Sequence, residues 1–329
     1  MYYIDNSGNN NPWFNLALEE YAVRHLDRNN DYLLLYINEP SIIIGKHQNV
    51  IEEVNQIKAG ELGIPVIRRI SGGGTVYHDL GNLNISVITN QTLKNFNKYL
   101  KFLKPVIEVL RDLGLEASLN ARNNILINNK KISGNAQFTS RQRLLSHGTL
   151  LVNSDLTMIG TLIKPENKQA YHSKSTKSIR SQITNICHQL GKQISAEDIK
   201  QKILKKISDS NPAHYKLTKT SQLEIEKLAE NKYKSWQWNY GLSPECQIKK
   251  TCKSVIGLIK LEMQIAGGII QSLSIENQNL NVKQQEAICG HFINKSLDYA
   301  TLKMLEQKMA MDKSLIEINR LPWIEIFLN

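Results

Sequence analysis

The most informative stretch of this sequence is Arg68-Arg69-Ile70-Ser71-Gly72-Gly73-Gly74-Thr75-Val76-Tyr77-His78-Asp79, followed by Gly81-Asn82-Leu83-Asn84. Three consecutive glycines leave backbone N–H groups uncovered by side chains, so several of them can converge on an anion. The preceding arginines add permanent charge, and a guanidinium can form two parallel hydrogen bonds with a phosphate or carboxylate. The stretch matches neither the Walker loop nor the dinucleotide-binding fingerprint. It therefore predicts an anion-binding turn of another kind, although tight hairpins also use these residues.

Runs of β-type residues and helical patterns alternate on both sides of this turn. Strands are predicted at 32–37, 41–45, 64–70, 124–127, 131–138 and 144–152. Helices are predicted from Pro12, over 93–113 with a break near Pro105, over 196–207 and over 221–229. The alternation predicts an α/β (α+β) protein.

A second, smaller module is predicted at the end of the sequence. The stretch 236–246 is rich in aromatic and turn residues, which indicates a domain edge just beyond it. Segments 258–266 and 269–275 flank Gly267-Gly268 as a tight hairpin, and helical patterns follow at 282–289 and 296–310. We therefore expect a main domain over residues 1–247 and a small α+β domain over 248–329.

Composition is that of a soluble globular protein. Hydrophobic residues make up 41% and charged residues 22% of the 329, which argues against disordered and fibrous architectures. No apolar run approaches the roughly 20 residues that cross a bilayer, and no signal peptide is apparent, so we expect a cytoplasmic protein. The four cysteines, Cys187, Cys246, Cys252 and Cys289, lack metal-type spacing and are predicted to be free thiols.

Positive charge is concentrated in one segment. The formal net charge is +11, and residues 160–220 hold twelve Lys or Arg against four Asp or Glu, a local excess of 12 − 4 = 8. This composition indicates an acidic partner, either nucleic acid, nucleotide phosphate or acidic protein, or else a merely solvated lysine-rich face. Residues 164–184 have few apolar side chains and are predicted to form a mobile loop.

Several motifs, in order, resemble the lipoate-protein ligase A family, within the larger biotin and lipoate ligase catalytic fold. They are RRISGGGTVYHDLGNLNIS around the glycine turn, then NPWFNLALEEY before it and ARNNILINNKKISGNAQ, SHGTLLVNSDL, SIRSQITNI and WQWNYGLSPE after it. The resemblance covers about three quarters of the chain. It implies a mixed-sheet catalytic domain with an accessory domain at the end of the chain.

The resemblance also implies the site residues. Lys131 would touch both the lipoate carboxylate and the nucleotide phosphate, because an ammonium between two anions offsets their repulsion. ATP would contact Lys131 and also Arg69, Gly74, Thr75, Val76 and Tyr77; lipoate would contact Lys131 and also Ser71, Gly73 and His147.

Lys130 is the competing lysine, and strand alternation would point it the opposite way. His147 can equally be a core histidine, while His78 and Asp79 can stabilise the turn or act in catalysis.

The implied reaction has two steps, with no enzyme nucleophile. Lipoate attacks the α-phosphorus of ATP to give lipoyl-AMP, and a lysine of an acceptor protein then takes the lipoyl group. The implied acceptors are lipoyl domains of 2-oxoacid dehydrogenase complexes and the glycine-cleavage H protein. We expect the ligase itself to be a monomer, with no membrane and no nucleic acid among its partners. Mg²⁺ would arrive with ATP, and its candidate ligands are Asn123 and Asn124, where the family usually has Asn-Asp.

Three other functions remain open. An octanoyl or lipoyl transferase on the same fold would form a thioester on a cysteine, but no cysteine lies in the motifs around Gly74, Lys131 or His147. A biotin ligase fits the glycine motif and the accessory domain less well. A nucleic-acid-binding module would explain the charge, yet the basic segment lacks interleaved aromatic residues.

Overall fold

The computed structural model describes residues 1–92, 96–164, 171–179, 181–207, 213–311 and 321–329. Its strands are β1 (Tyr2–Ile4), β2 (Tyr32–Ile37), β3 (Ser41–Ile44), β4 (Val66–Arg68), β5 (Val76–His78), β6 (Asn82–Asn90), β7 (Ala117–Leu119), β8 (Ile125–Ile127), β9 (Lys130–Ser133), β10 (Asn135–Ser140), β11 (Arg143–Leu151), β12 (Tyr171–Ser173), β13 (Ala213–Tyr215), β14 (Cys246–Ser254), β15 (Gly257–Ala266) and β16 (Ile269–Glu276). Its α-helices are α1 (Pro12–His25), α2 (Val50–Glu53), α3 (Gln56–Glu61), α4 (Tyr99–Asp112), α5 (Leu156–Leu162), α6 (Ile186–Leu190), α7 (Ala196–Ile207), α8 (Lys219–Leu228), α9 (Val282–Phe292), α10 (Tyr299–Ala310) and α11 (Trp323–Leu328). Two π-helical turns follow α8, at Ala229–Tyr233 and Gln237–Gly241.

Backbone contacts divide the chain into two compact units. The first unit consists of Met1–Lys46, Ile67–Ile159 and Ile179–Ser235, and the second of His47–Val66, Gly160–Ser178 and Trp236–Asn329. The second unit thus takes in two segments from the first two thirds of the chain. The predicted boundary between residues 247 and 248 lies within strand β14, and the assignment of separate functions to 1–247 and 248–329 stays a prediction.

A mixed six-stranded sheet forms the centre of the first unit. Its order is β10-β11-β6-β2-β1-β13, with β1 parallel to both neighbours and the other pairs antiparallel. Helices α4 and α7 cover it, and their apolar side chains, among them Leu110 and Ile203, join Leu33 and Val87 of the sheet in one core cluster. Two small sheets, β4-β3-β5 and β7-β8-β9, carry the glycine turn and the lysine pair 130–131. The predicted mixed-sheet α/β class is confirmed.

Helix α4 corrects one prediction, because it continues through Pro105 without a break. Proline removes one helical hydrogen bond, at a cost of about 3 kcal/mol. Six apolar side chains on one face of α4 offset this cost by burial: Phe102, Leu103, Val106, Ile107, Val109 and Leu110. Residues 93–95, where this helix was predicted to begin, lie outside the described residues.

The segment predicted as one strand over 131–138 is in fact two strands in different sheets. Strand β9 pairs with β8, whereas β10 pairs with β11, and Gly134 lies between them. Glycine permits this change of direction at a crowded point, since a Cβ atom there would lie 3.1 Å from the Nζ atom of Lys131. The break is what places the lysine side chain beside the start of β10.

An antiparallel sheet of order β12-β14-β15-β16 forms the second unit with helices α9, α10 and α11. Alternate residues of β15, namely Ile259, Leu261, Met263 and Ile265, are buried, as strand alternation requires. The predicted hairpin at Gly267-Gly268 is present, and both glycines have positive φ, 57° and 72°. None of the described helices is long and apolar enough to span a membrane.

The loop predicted over 164–184 is wrong at Tyr171–Ser173, which form strand β12, whereas residues 174–179 are irregular, as a loop is. Strand β12 pairs with β14, and the residues after it are bound to helix α2. Ser175 donates to Glu52 (2.8 Å), Lys177 forms an ion pair with Glu52, and the Ser178 amide donates to Glu53 (3.1 Å). Two carboxylates of α2 therefore hold a segment whose own side chains are polar. Residues 165–170 and Arg180 lie outside the described residues.

Candidate active site

The glycine turn joins β4 to β5 and packs closely against the end of β3. A Cβ atom on Gly45 would lie 2.1 Å from the carbonyl oxygen of Gly73, so this position admits only glycine. Gly73 itself has φ +91°, a conformation that other residues rarely adopt. The amide of Lys46 donates to the Ser71 carbonyl at 2.8 Å. The turn is thus held in one conformation from both sides.

Arg69 lies beneath the turn and binds the turn's own backbone. Its guanidinium donates to the carbonyls of Gly72 (2.7 Å), Gly74 (2.8 Å) and Ile43 (3.1 Å), and Nε donates to Ser71 Oγ (3.1 Å). Burial lowers the pKa of Arg69 to about 10, so the group remains charged at neutral pH. The arginine therefore places a buried positive charge under the glycines. Direct contact between Arg69 and ATP stays a prediction.

Lys131 on β9 is half-buried, while Lys130 is exposed. Among the residues that the structure describes, no carboxylate or other acceptor pairs with the Lys131 ammonium. Burial, and next the positive charge of Arg69, lower the pKa of Lys131. An ammonium that is mostly buried without a counter-ion is costly, and an anionic ligand is the partner that would compensate it.

The structure brings Lys131 and the glycine turn to the same place. A Cβ atom on Gly134 would lie 3.1 Å from Lys131 Nζ, and one on Gly73 would lie 3.8 Å from the Cβ of Ala136, two residues beyond Gly134. The charge of Arg69 acts on Lys131 from the turn side. Cationic groups thus flank a surface of bare backbone, which is the arrangement that an anion requires.

Ser71 and His147, both predicted near lipoate, are hydrogen-bonded to each other. Ser71 Oγ lies 2.6 Å from His147 Nε2, and His147 Nδ1 lies 2.9 and 3.0 Å from the carboxylate oxygens of Glu19. Ser86 and Tyr36 also donate to that carboxylate. Burial alone would raise the pKa of Glu19, but His147 and the hydrogen bonds outweigh it, and the net pKa is lowered.

Glu19 is therefore a site residue that the sequence-based prediction missed. Its side chain is 1% exposed, although it lies on a helix interpreted only through its apolar stripe. The neighbouring Glu20 is 3% exposed and binds Lys232 (2.6 Å), Tyr233 (2.8 Å) and Arg24 (2.7 Å). Two adjacent carboxylates inside the apolar run from Leu16 to Val23 were the available signal, because such groups are buried only when they are paired.

Asp79 has a structural role, which was one of the two roles predicted for it; the other was catalysis. Its carboxylate accepts from the amides of Gly81 (2.9 Å) and Asp155 (2.8 Å), which fixes the turn after β5. The other predicted ATP contacts lie on or next to β5. Thr75 and Tyr77 are buried there, and Gly74 and Val76 are half-buried. Burial, then Asp79 and Asp155, raise the pKa of Tyr77 to about 12.

Of the two candidate metal ligands, Asn124 lies near the lysine, and Asn123 precedes it in the sequence. Asn123 has φ +61°, and the Asn124 amide oxygen is 3.9 Å from the Cβ position of Gly134, which itself is 3.1 Å from Lys131 Nζ. Within the described residues, no group of three or more His, Cys, Asp or Glu side chains could hold a metal ion. A metal here would have to take most of its ligands from a substrate and from water.

Cys187, which belongs to the first unit, does not lie at this site. Cys187 is buried in the core under α4 and α7, where its thiol donates to the Ile194 carbonyl at 3.1 Å. Cys246, Cys252 and Cys289 belong to the second unit. A thioester mechanism needs an activated thiol beside the acyl group, and burial instead raises the pKa of Cys246 to about 11. The transferase alternative is therefore not favoured.

Comparisons with known proteins identify the family of this chain. Residues 11–208, which include every predicted site residue, match the family model for the lipoyl protein ligase A/B catalytic domain. Lipoate-protein ligase LplJ of Bacillus subtilis is 43% identical over 306 residues, 92% of each chain.

Two solved structures share the fold. One is a lipoate-protein ligase A bound with ATP, 26% identical, with a TM-score of 0.60 over 70% of this chain and 95% of that one. The other comes from a study of a bipartite lipoate protein ligase and its E2 lipoyl domain from Thermoplasma acidophilum, 25% identical, with a TM-score of 0.62 over 73% and 96%. The family-model match and the sequence identity show that the chain belongs to the lipoyl protein ligase A/B family.

Proposed function

We propose that this chain is an ATP-dependent lipoate-protein ligase that makes lipoyl-AMP and transfers the lipoyl group to a lysine of an acceptor protein. The observation that carries the proposal is the Lys131 ammonium, largely buried and without a protein counter-ion in the described residues, beside a glycine turn built on Arg69. Relatives named lipoate-protein ligases, and a ligase structure with ATP, support the same substrates.

In the first step a carboxylate oxygen of lipoate attacks the α-phosphorus of ATP. A new O–P bond forms while the bond between the α-phosphorus and the bridging oxygen of pyrophosphate breaks. The lipoate carboxylate and the α-phosphate, both anionic, must come together in this step. The Lys131 ammonium offsets their repulsion and stabilises the charge of the transition state. The amides of the glycine turn supply further donors to phosphate oxygens.

In the second step the neutral ε-amine of the acceptor lysine attacks the carbonyl carbon of lipoyl-AMP. An amide bond forms, the bond from carbonyl carbon to phosphate oxygen breaks, and AMP leaves as the amine nitrogen loses a proton. The mixed anhydride hydrolyses readily, so the site must exclude water from it. No side chain of the ligase needs to become acylated.

Mg²⁺ would neutralise phosphate charge in the first step. The candidate ligands for such an ion are the amides of Asn124, near Lys131, and of Asn123 before it, since amide oxygens are acceptable ligands for a hard cation. They cannot form a complete cage, so the ion would be held mainly by ATP and water. The proposal therefore includes Mg²⁺ that binds as a complex with ATP.

The proposed acceptors are lipoyl domains and the related H protein. The Thermoplasma ligase was studied with its E2 lipoyl domain, which supports a lipoyl domain as partner. Basic side chains of the 160–220 segment would attract an acidic acceptor, but several of them already have partners: Lys177 binds Glu52, Lys200 binds Glu197 and Lys206 binds Asp112. Lys174 is exposed and is the side chain of this segment that we propose attracts an acceptor. A monomeric, cytoplasmic enzyme is the simplest form of the proposal.

The experiment that tests the proposal combines the purified protein with ATP, Mg²⁺, lipoate and an apo lipoyl domain. Mass spectrometry is expected to show lipoyl-AMP before acceptor is added and one lipoyl group on the acceptor lysine afterwards. Omitting ATP should abolish both products. Acyl transfer from a lipoyl or octanoyl carrier without ATP would instead establish the transferase.

A further inference from the structure

A chain of buried side-chain amides leads from the start of the sequence to His78, a residue that the mechanism above does not use. Asn6 donates to Asn15 Oδ1 (2.9 Å), Asn15 donates to Asn38 Oδ1 (2.9 Å), and Asn38 Nδ2 lies 3.0 Å from His78 Nδ1. All four residues are at most 5% exposed. These groups are out of contact with water, so each hydrogen bond strongly constrains the next.

A backbone carbonyl sets the direction of this chain. The Asn9 carbonyl, which can only accept, takes hydrogen bonds from Asn6 Nδ2 (2.8 Å) and Asn15 Nδ2 (2.7 Å). Asn15 must therefore turn its NH₂ group toward Asn38, whose oxygen accepts, and the Asn38 NH₂ group is left to face His78. Nδ1 of His78 is then an acceptor. We assign the neutral imidazole with its proton on Nε2 from this network.

His78 Nε2 is the last polar atom of this hydrogen-bond network and has no acceptor. It is buried, and no group in the described part of the chain hydrogen-bonds to it. Burial, then the positive charges of Arg69 and His147, lower the pKa of His78 to about 3, in agreement with the neutral form. A buried N–H donor without a partner is unfavourable, and in native proteins such a donor is usually satisfied by a ligand, an ion or a water molecule.

We propose that His78 donates a hydrogen bond from Nε2 to an anionic oxygen of the bound substrate, the carboxyl group of the acyl acid, and that Asn15 and Asn38 are positioning residues that hold the donating tautomer. The proposal rests on the proposed function and deepens it. His78 follows the glycine turn directly and lies within the fields of Arg69 and His147. Lipoate has strong acceptor oxygens only in its carboxyl group, since ring sulfurs accept weakly.

Two substitutions at His78 distinguish the hydrogen bond that Nε2 donates from the space that the ring fills. The amide nitrogen of His78→Gln can take the place of Nε2, whereas His78→Phe keeps a ring and removes the donor. In an assay of pyrophosphate release, His78→Phe is expected to raise the lipoate KM about ten- to a hundredfold with the ATP KM unchanged. His78→Gln is expected to restore most of the loss. Thermal unfolding of both variants shows whether either is misfolded.

Nitrogen NMR on ¹⁵N-histidine-labelled protein tests the tautomer independently of activity. The His78 signal, identified by its absence in His78→Gln, is expected to show Nε2 protonated and Nδ1 bare. In Asn38→Asp the carboxylate accepts from Nδ1, so the Nδ1 signal is expected to become that of a protonated nitrogen. Lipoate added to the unsubstituted protein should shift the Nε2 signal.

The results have distinct meanings. A wild-type protein that forms no lipoyl-AMP contradicts the proposed function, whereas an active wild type with unchanged lipoate KM in His78→Phe overturns only the role of His78. A rise confined to the ATP KM would assign the hydrogen bond to a phosphate oxygen and overturn the carboxyl assignment. A His78 signal protonated on Nδ1 in the wild type would contradict the asparagine network.

Discussion

Ser71 Oγ lies 2.6 Å from Nε2 of His147, and this contact connects the glycine turn to helix α1 through the buried carboxylate of Glu19. Arg69 Nε donates to Ser71 Oγ, Ser71 Oγ is hydrogen-bonded to His147 Nε2, and the other ring nitrogen of His147 faces Glu19. The turn therefore depends on a helix that lies more than forty residues earlier in the sequence.

Replacing the carboxylate at the end of this connection should weaken the fold. Glu19→Gln keeps the shape but leaves His147, Ser86 and Tyr36 without the negative charge that they bind. Breaking a buried charged pair costs about 3 kcal/mol, and we expect a loss of that order in the free energy of unfolding by urea. The control is Glu61→Gln, whose pair with Lys58 is exposed and whose loss should leave stability nearly unchanged. Equal effects of the two substitutions would disprove the structural importance of Glu19.

Lys131 should control adenylation without controlling the fold. Lys131→Met removes the ammonium that stabilises the meeting of carboxylate and α-phosphate, and we expect lipoate-dependent pyrophosphate release to fall about 100- to 1,000-fold. The unfolding free energy should not fall, because an unpaired buried charge is removed. Lys130→Met, one residue away on the exposed side, is the matched control and should retain full activity. A Lys131→Met enzyme that keeps its rate would exclude this residue from the chemistry.

The glycines of the site should differ sharply in their tolerance of alanine. A Cβ atom on Gly45 would lie 2.1 Å from the Gly73 carbonyl oxygen, whereas one on Gly72 would meet nothing within 4 Å. Gly45→Ala must therefore displace the turn, and we expect a loss of about 2 kcal/mol or more in stability. Gly72→Ala should change stability by less than about 0.5 kcal/mol. The comparison is made by urea unfolding, and a stable Gly45→Ala protein would show that the packing is looser than described.

The neutral His78 predicts a specific dependence of stability on pH. Its folded pKa, about 3, is below the usual value of 6.5, so between these values the unfolded chain binds a proton that the folded protein does not. His78 should therefore lower the free energy of unfolding as the pH falls from about 6.5 toward 3, by about 1.4 kcal/mol per pH unit. In His78→Gln this contribution is absent, so the difference between the two proteins should change with pH. Parallel stability curves between pH 6 and 4 would contradict the buried neutral histidine.

Local patterns predicted much of the fold and of the site. The helix from Pro12, the strands around the glycine turn and the hairpin at Gly267-Gly268 depend on neighbouring residues, which a sequence shows directly. The juxtaposition of Lys131 with the turn came from family resemblance, because sixty residues and several strands separate the two. Glu19 and the amides that orient His78 were missed, since their significance lies in partners that only the folded chain brings together.

The same reason accounts for the strand and the contacts that were missed within segment 164–184. Its polar composition resembles that of a loop, yet Glu52 and Glu53 of helix α2, more than one hundred residues earlier, hold residues 175–178 in place. A polar segment needs no apolar residues of its own when another element supplies buried carboxylates. The distant partner could not be identified from the segment alone.

Lysines 174 and 177 should therefore respond differently to charge reversal. Lys177→Glu would place a second carboxylate beside Glu52, which is 8% exposed, and should lower stability by about 2 kcal/mol, since the lysine is partly solvated. Lys174 is exposed, so Lys174→Glu should leave the fold intact and raise the KM for an acidic lipoyl domain several-fold. That increase should shrink in high salt, because exposed charges are screened. Urea unfolding and acceptor titration measure the two effects, and an unaltered acceptor KM in Lys174→Glu at low salt would exclude this lysine from acceptor recognition.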